Sequence, residues 1–497
     1  MELSHFAIAK FLQEQYDCNM FAIIDFVDHA KKFFLNQQLV KFQKVWYIRD
    51  HILKPHKGID MEYLASFEKK YNINLWNLAY SERYFYQFNA YYKFSSDEIL
   101  SLLEQNCKFF EMVLDEIKPV YIIMRMTDDH QTQLLHEICK AKDIRILTWS
   151  GTRFGYHVMI SESSDIPDIP FVPNENYHDD KIKTFEELLD YTKKYPEQLR
   201  KFSQKAKFSS WDRFKTSLRF FISIYDSNYR KYFRNFGRTR IKIIIHEGSL
   251  SLKKSYREFF INKNSLRYTD KSTPFVYFPI HFEPERAISI PAPFYTNQLE
   301  VITNIAKSLP VEYKLFVKEH PLQYLTGWKN TSFYKKILEL PNVWLIYTSV
   351  PSEKLMKNCS LVITVAGTAG LEAAFYNRAV IVFTDTIYSN LSHVYRVRNL
   401  EDIPNAIRSS LKKKVNLSEL NQFVNYIMKN SVIFDELGIN RAIAERFYLG
   451  GFLGVDIPID KMKSFLEEYR SAFEPLVTEY VKKINQFKSD KSSGYSD

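Results

Sequence analysis

Cysteine is nearly absent: four occur in 497 residues, at positions 18, 107, 139 and 359. They share no metal-like spacing, which argues against a cysteine-bound metal centre and leaves reduced, buried thiols as the expectation. Long apolar runs are missing too, none approaching the roughly 20 residues a helix needs to cross a bilayer. The first residues, Met1-Glu2-Leu3-Ser4-His5, carry no basic stretch leading into an apolar one, so no secretory leader is expected and the chain reads as soluble or peripheral. No repeat of solenoid period occurs. The full GxGxxG fingerprint, the lysine of a Walker loop and a DxD triplet are all lacking. Glycine is scarce, 13 residues in all, so two within four positions, Gly367 and Gly370, need a local explanation.

What is present is enough for two cores. A chain of 497 residues, 45% hydrophobic, predicts two domains of about 200 to 250 residues each. Aromatics reach 16%, with 40 Phe and 33 Tyr; we read this partly as coding bias and give lone aromatic clusters little weight. The formal charge of +10 suits anionic partners but is spread over a long chain and forms no basic patch.

Taken in order, residues 1–16 carry helical spacing and 20–26 read as a buried strand. A helix therefore precedes the first strand, whereas doubly wound domains usually open on a strand. The first strand is thus apparently missing, or the start lies within a longer protein. A helix over 27–42 and a strand at 45–48 follow, and 60–114 is mostly helical. Residues 118–148 form a βαβ unit: strand 120–124, helix 131–142, strand 144–148. Its two exit loops, 125–130 and 149–155, fall at one edge of a parallel sheet and are site candidates. Residues 181–232 are helical and lysine-rich, an inserted or bridging subdomain. The apolar run 241–245 is β-rich but equally able to finish that helical segment. Strict alternation then returns, with strands at 275–278, 315–317, 343–346, 361–365 and 379–383 separated by helices, one of them starting at Ser352. Beyond 401 the pattern is helical to 488. The expected organisation is an N-terminal Rossmann-like domain at 1–160, a helical insertion at 161–245, a C-terminal Rossmann-like domain at 246–430, helices at 431–488 and a disordered tail at 489–497.

The stretch 315–383 organises the rest. Its second strand ends in Ala366-Gly367-Thr368-Ala369-Gly370 and opens into a helix over 371–376, whose free N–H groups and positive dipole end suit a phosphate. The alternative is a tight strand-to-helix turn with close packing. Glu372 could bind a ribose hydroxyl or merely complement the dipole. The earlier strand ends in Lys318-Glu319-His320-Pro321, where proline stops the ladder. His320 either donates to a phosphate and, if protonated, steadies a departing nucleotide, or is structural. Alternation along the strand places Lys318 and His320 on one face. Glu283 and Glu285 could act as a base or as ribose or sugar contacts; Asp128, Asp129 and His130 are the matching candidates from the first domain. Asp129, near a helix start, could equally be a cap.

Together, Tyr277-Phe278-Pro279-Ile280-His281-Phe282-Glu283-Pro284-Glu285, Val317-Lys318-Glu319-His320-Pro321 and Val365-Ala366-Gly367-Thr368-Ala369-Gly370-Leu371-Glu372-Ala373 resemble the capsule polysaccharide biosynthesis and export family of bacterial glycosyltransferases. The resemblance implies an α/β fold of the GT-B type, two Rossmann-like domains facing each other, with a helical insertion and helical C-terminal segment. It also implies transfer of a sugar from a CMP- or UDP-linked donor, held by the C-terminal domain, to a surface polysaccharide or glycolipid acceptor. In the related Kdo and sialic-acid transferases a His-Pro pair and a hydroxyl-bearing loop contact the phosphate; carried over, these are His320 and Thr368. The donor-binding set becomes Lys318, His320, Gly367, Thr368, Ala369, Gly370, Glu372 and Glu283, and the catalytic set His320, Glu285, Asp128, Asp129 and His130. The family's glycine and proline after the loop helix are Asn377 and Ala379 here, and Asn also accepts a left-handed cap. No cofactor, no obligatory metal and no nucleic-acid partner are expected. The expected location is cytoplasmic, with peripheral contact to the inner membrane face or to polysaccharide assembly proteins. Alternatives are a nucleotide-sugar 2-epimerase and a non-catalytic assembly scaffold.

Overall fold

The computed structural model describes residues 2–26, 28–87, 91–173, 177, 184–193, 239–267, 273–283, 286–448 and 456–493. Two α/β units result. In the second, short runs of Val, Ile, Leu and Phe form β6 (Phe275–Pro279), β7 (Lys314–Lys318), β8 (Val343–Ile346), β9 (Leu361–Thr364), β10 (Val380–Val382) and β11 (Val394–Arg396). They make a six-stranded sheet ordered β11-β10-β9-β6-β7-β8, every pair parallel. Continuous rather than alternating apolar runs are what a parallel sheet covered on both faces requires. One face buries Val276, Phe278, Leu315 and Val317 under the helices Gln298–Ser308 and Ile403–Ser410. The other buries Tyr277, Phe316 and Val362 under the helices Ser352–Asn358, Thr368–Phe375 and Leu417–Asn430. The chain runs outward from β6 through β7 to β8, then restarts beside β6 at β9. The carboxyl ends of β6 and β9 therefore flank the switch point where such sheets open a crevice.

The first unit pairs β1 (Phe21–Ile24) with β2 (Lys44–Tyr47) in parallel. Its larger sheet, ordered β12-β5-β4-β3, contains β3 (Tyr121–Met124), β4 (Arg145–Gly151), β5 (His157–Ser161) and β12 (Val432–Ile433). Helices Ser96–Ile117 and His130–Ala141 cover one face. Leu3–Gln15, Glu436–Phe447 and Ile459–Ser493 cover the other.

Several expectations need correction. The exit from the 144–148 strand is not all loop: β4 runs on to Gly151 and turns back as β5, because the Thr152 N–H and hydroxyl both donate to the His157 carbonyl at 2.9 Å. The text beyond 401 is not purely helical, since β12 pairs antiparallel with β5 and returns the chain to the first unit. The run 241–245 lies inside the helix Arg240–Asn264, capped by the Thr239 side chain; its tertiary contact through Ile261 with Trp328, Tyr334 and Leu345 overrides β-branching. The last helix, which carries Pro475 within it, continues through Ser493, past the expected tail start at 489. The helix expected to start at Ser352 does so, with Pro351 in the cap position. Much of 181–232 lies outside the described residues; within it Phe185–Lys193 is helical. No disulfide links the four cysteines. Among the described residues no helix is long and apolar enough to cross a membrane.

Candidate functional site

The crevice at the switch point is built from three strand exits. After β9, the Thr364 hydroxyl accepts from the Gly367 N–H at 3.2 Å and lies 3.1 Å from Nε2 of buried His281, which follows β6. The Ala366 N–H also reaches His281 Nε2, at 3.5 Å, which makes that nitrogen the acceptor and the Thr364 hydroxyl its donor, so this chain of bonds fixes the loop. Burial, with Arg153, His320 and Lys329 nearby, lowers the His281 pKa to about 3, so the ring is a neutral strut. The helix Thr368–Phe375 begins at Gly367, which offers no side-chain cap. Its first N–H groups and the positive end of its dipole face the crevice edge without a side-chain partner.

Both glycines are required by packing. A Cβ on Gly367 would lie 2.7 Å from Thr364 Oγ1, and one on Gly370 would collide with the Tyr388 hydroxyl. That hydroxyl donates to the Gly367 carbonyl at 2.5 Å. Asn377 takes the left-handed conformation after the helix, φ 57°, as its amide side chain allows. Thr368 and Glu372 are both accessible to water. Yet protein encloses the Glu372 carboxyl enough for desolvation to raise its pKa, against a bond from Thr368 and the charge of Lys318.

At the end of β7, Lys318 is buried and donates to Ser352 Oγ at 2.9 Å. Burial lowers its pKa to about 8, opposed by Glu372. Among the described residues it forms no ion pair. The strand stops there, so alternation does not carry to His320 as expected: Glu319 Oε1 takes the His320 N–H at 2.8 Å and Pro321 opens a 3-10 turn. Glu319 is itself fully enclosed, bound by Lys329 Nζ at 3.1 Å and the Tyr334 hydroxyl at 2.7 Å. His320 Nδ1 accepts the Leu322 N–H at 3.2 Å, which leaves the ring proton on Nε2. Burial, Lys329 and Lys318 lower its pKa to about 4. His320 is thus a neutral N–H donor rather than a cation.

After β6, the Glu283 carboxyl takes a bond from Gln298 Nε2, and burial raises its pKa. Its backbone is clamped both ways by Gln323 at 2.9 Å. Glu285 lies outside the described residues. In the first unit, Asp129 caps the helix His130–Ala141, accepting from the Thr132 N–H at 2.7 Å, and pairs with Arg125 at 2.9 Å. His130 pairs with buried Glu82 at 2.5 Å; burial lowers the pKa of the ring, but Glu82 outweighs it and the net shift is upward. Asp128 also pairs with Arg125, and burial with Asp129 beside it raises its pKa. The structure therefore ties all three into local pairs and leaves Asp128 the more basic of the two aspartates. The 125–130 loop reaches the second unit through Arg286, which binds the Thr127 carbonyl and pairs with Asp165 at 2.6 Å. Among the described residues no three His, Cys, Asp or Glu side chains converge as a metal ion would need.

The model of the family described as capsule polysaccharide biosynthesis protein matches residues 177–428, just over half of the 497-residue chain. The chain belongs to that family. No curated protein matches it. Among solved structures it is similar to the Thermosulfurimonas dismutans KpsC beta Kdo 2,7 transferase, at 12% identity and TM-score 0.31, covering 71% of this chain and 87% of that one. It is also similar to the Methanocaldococcus jannaschii UDP-GlcNAc 2-epimerase in complex with UDP-GlcNAc and UDP, at 15% identity and TM-score 0.24, covering 66% and 81%. Two Rossmann-like units in this capsule-synthesis protein constitute the GT-B type of fold.

The parts of the crevice that depend on contacts distant in the chain carry no local signal in the sequence. Gln298 and Lys329 sit in or after helices, and Tyr388 in a turn after β10, where the local text carries no motif. His281 lay inside a quoted motif without a role. Arg153, in a flagged exit loop, binds the Ala366 carbonyl of the other unit, a contact no local pattern announces.

Proposed function

We propose that this capsule-synthesis protein is a glycosyltransferase that moves a sugar from a CMP- or UDP-linked donor to a glycan or glycolipid acceptor. The observation that carries the reading is the crevice at the switch point, bordered by a helix N-terminus without a side-chain cap, by buried Lys318, which has no ion-pair partner among the described residues and bonds only Ser352, and by His320, whose ring proton is on Nε2. Such a set accepts an oxyanion whose charge grows as a bond breaks. An acceptor hydroxyl attacks the anomeric carbon, and the bond between that carbon and the phosphate oxygen breaks with its electron pair leaving on the nucleotide. The acceptor proton passes to a carboxylate of the first unit, for which raised Asp128 is the candidate. The Thr368 hydroxyl, the helix dipole, Lys318 and His320 meet the leaving phosphate, a task that needs no metal.

Donor turnover in His320→Ala and Thr368→Ala proteins that keep the wild-type melting temperature tests this. Loss of about 100-fold or more is expected for His320→Ala, the scale of removing one donor from a preorganised anion site; turnover unchanged in both would sink the reading. Incubation with chelator is expected to leave activity intact. A sugar isomer formed from a UDP sugar without acceptor would instead identify an epimerase.

A further inference from the structure

Arg153 belongs to the first unit but sits at the anion crevice of the second. It lies in the turn between β4 and β5 with φ 65°, in the left-handed region that side chains disfavour. Two devices hold it there. The turn is closed by the Thr152 bonds to the His157 carbonyl. The next residue, Phe154, is 2% exposed and packs in the core of the second unit with Leu371, Phe375 and Tyr388, its ring centroid 6.4 Å from that of Phe375. The hairpin tip is therefore a plug set beneath the helix Thr368–Phe375. Arg153 is carried beside the loop after β9: its guanidinium donates to the Ala366 carbonyl, lies 6.0 Å from the Tyr388 ring centroid, and is close enough to His281 to depress the imidazole pKa. A guanidinium has five N–H donors. Among the described residues no carboxylate forms an ion pair with Arg153. A half-buried cation held between two units with no carboxylate partner among the described residues has donors to spare, and the planar fork matches a phosphate in bidentate geometry.

We infer that Arg153 is a phosphate ligand for the nucleotide donor, supplied across the domain boundary by the β4–β5 hairpin and set in place before the donor arrives. The inference rests on the reading of the crevice as a nucleotide site. With both in place, the donor phosphate lies between the helix N-terminus and Lys318 on the second unit and the guanidinium on the first. Each unit then contributes positive charge to the same group. The left-handed turn keeps the guanidinium at the loop rather than leaving it to swing in solvent.

The test uses the full chain with Arg153→Gly and Arg153→Lys. Glycine removes the guanidinium while relieving the positive φ, so the variant is expected to fold as well as wild type. Binding of CMP, UDP and GDP, and of the matching nucleosides cytidine, uridine and guanosine, is measured by calorimetry. The expected result is nucleotide affinity reduced about 10- to 100-fold in Arg153→Gly, the scale of a charge-assisted bond, with nucleoside affinity unchanged and only partial recovery in Arg153→Lys. Nucleotide affinity equal to wild type in Arg153→Gly overturns the inference and leaves the crevice reading intact. An equal fall for nucleotide and nucleoside also overturns it, since that marks a structural role. Wild type that binds no nucleotide overturns both readings together.

Discussion

Lys318 holds its charge where water is scarce, and in the proposed donor site that makes its contribution depend on pH. Burial brings its pKa down to about 8, so the ammonium exists below that pH and is lost above it. A phosphate binds the ammonium, not the amine. Nucleotide affinity is therefore expected to fall between pH 7 and pH 9, with bound phosphate itself moving the midpoint somewhat upward. Lys318→Met should bind weakly at both values and show no such slope in calorimetric titration. Gly370 poses a packing question at the same scale. Its Cβ would collide with Tyr388, so Gly370→Ala is expected to lower stability in urea by about 1–3 kcal/mol, the scale of overpacking a close-packed site. Adding Tyr388→Phe removes the colliding hydroxyl and should restore part of the loss. The tetrad was conspicuous in the sequence, because two glycines in a glycine-poor chain are visible without a structure. The reason for them was not, because Tyr388 reaches the loop from the exit of β10, a contact no local pattern announces.

The elements divide by how local their causes are. Five of the six strands of the second unit were legible as short, mostly apolar runs ending in polar or small residues; β11, Val394–Arg396, was not, since only its pairing with β10 makes it a strand. β12 was not legible. Val432-Ile433 is a two-residue interruption in helical text, and its strand character comes from pairing with Val158 and His157 far away in the chain. The β4–β5 hairpin was half legible: its small, polar turn marked an exit loop, but nothing local says that Phe154 is received by the other unit. That insertion makes the hairpin an energetic link between units. Phe154→Ala is expected to cost about 3–5 kcal/mol, as for a buried phenylalanine elsewhere, read as a lower urea midpoint. If the two units unfold separately in the variant, a transition that is single in wild type splits in two. The Glu319–Lys329 pair supports the other wall of the crevice. Lys329→Met leaves an enclosed carboxylate without its cation, and a loss of about 3–5 kcal/mol is expected.

Across the whole molecule, histidine sets the response to acid. His5, His157, His281, His320 and His393 all have pKa values below the ordinary imidazole value, with burial the first cause in each. Only His130, among histidines with a resolved shift, is raised, through Glu82. The unfolded chain takes up a proton at each ring near pH 6.5, whereas the folded protein refuses it until about pH 3 at His5 and His281 and about pH 4 at His320 and His393. Between those limits the unfolded state binds more protons, so stability rises with pH through the window and is lost as pH falls. His130 works the other way, gaining stability from its proton, but it is one ring against five. The urea midpoint is therefore expected to be flat near pH 7.5 and to drop steadily from pH 6.5 toward pH 4. His393 is a good place to check the cause. Neither of its ring nitrogens has a hydrogen-bond partner among the described residues, and it lies wholly buried at the edge of the second sheet, away from the crevice. Substituting it by phenylalanine should leave the midpoint at pH 7.5 little changed and make the descent below pH 6.5 shallower. A slope identical to wild type would mean that the acid sensitivity comes from the carboxylates instead.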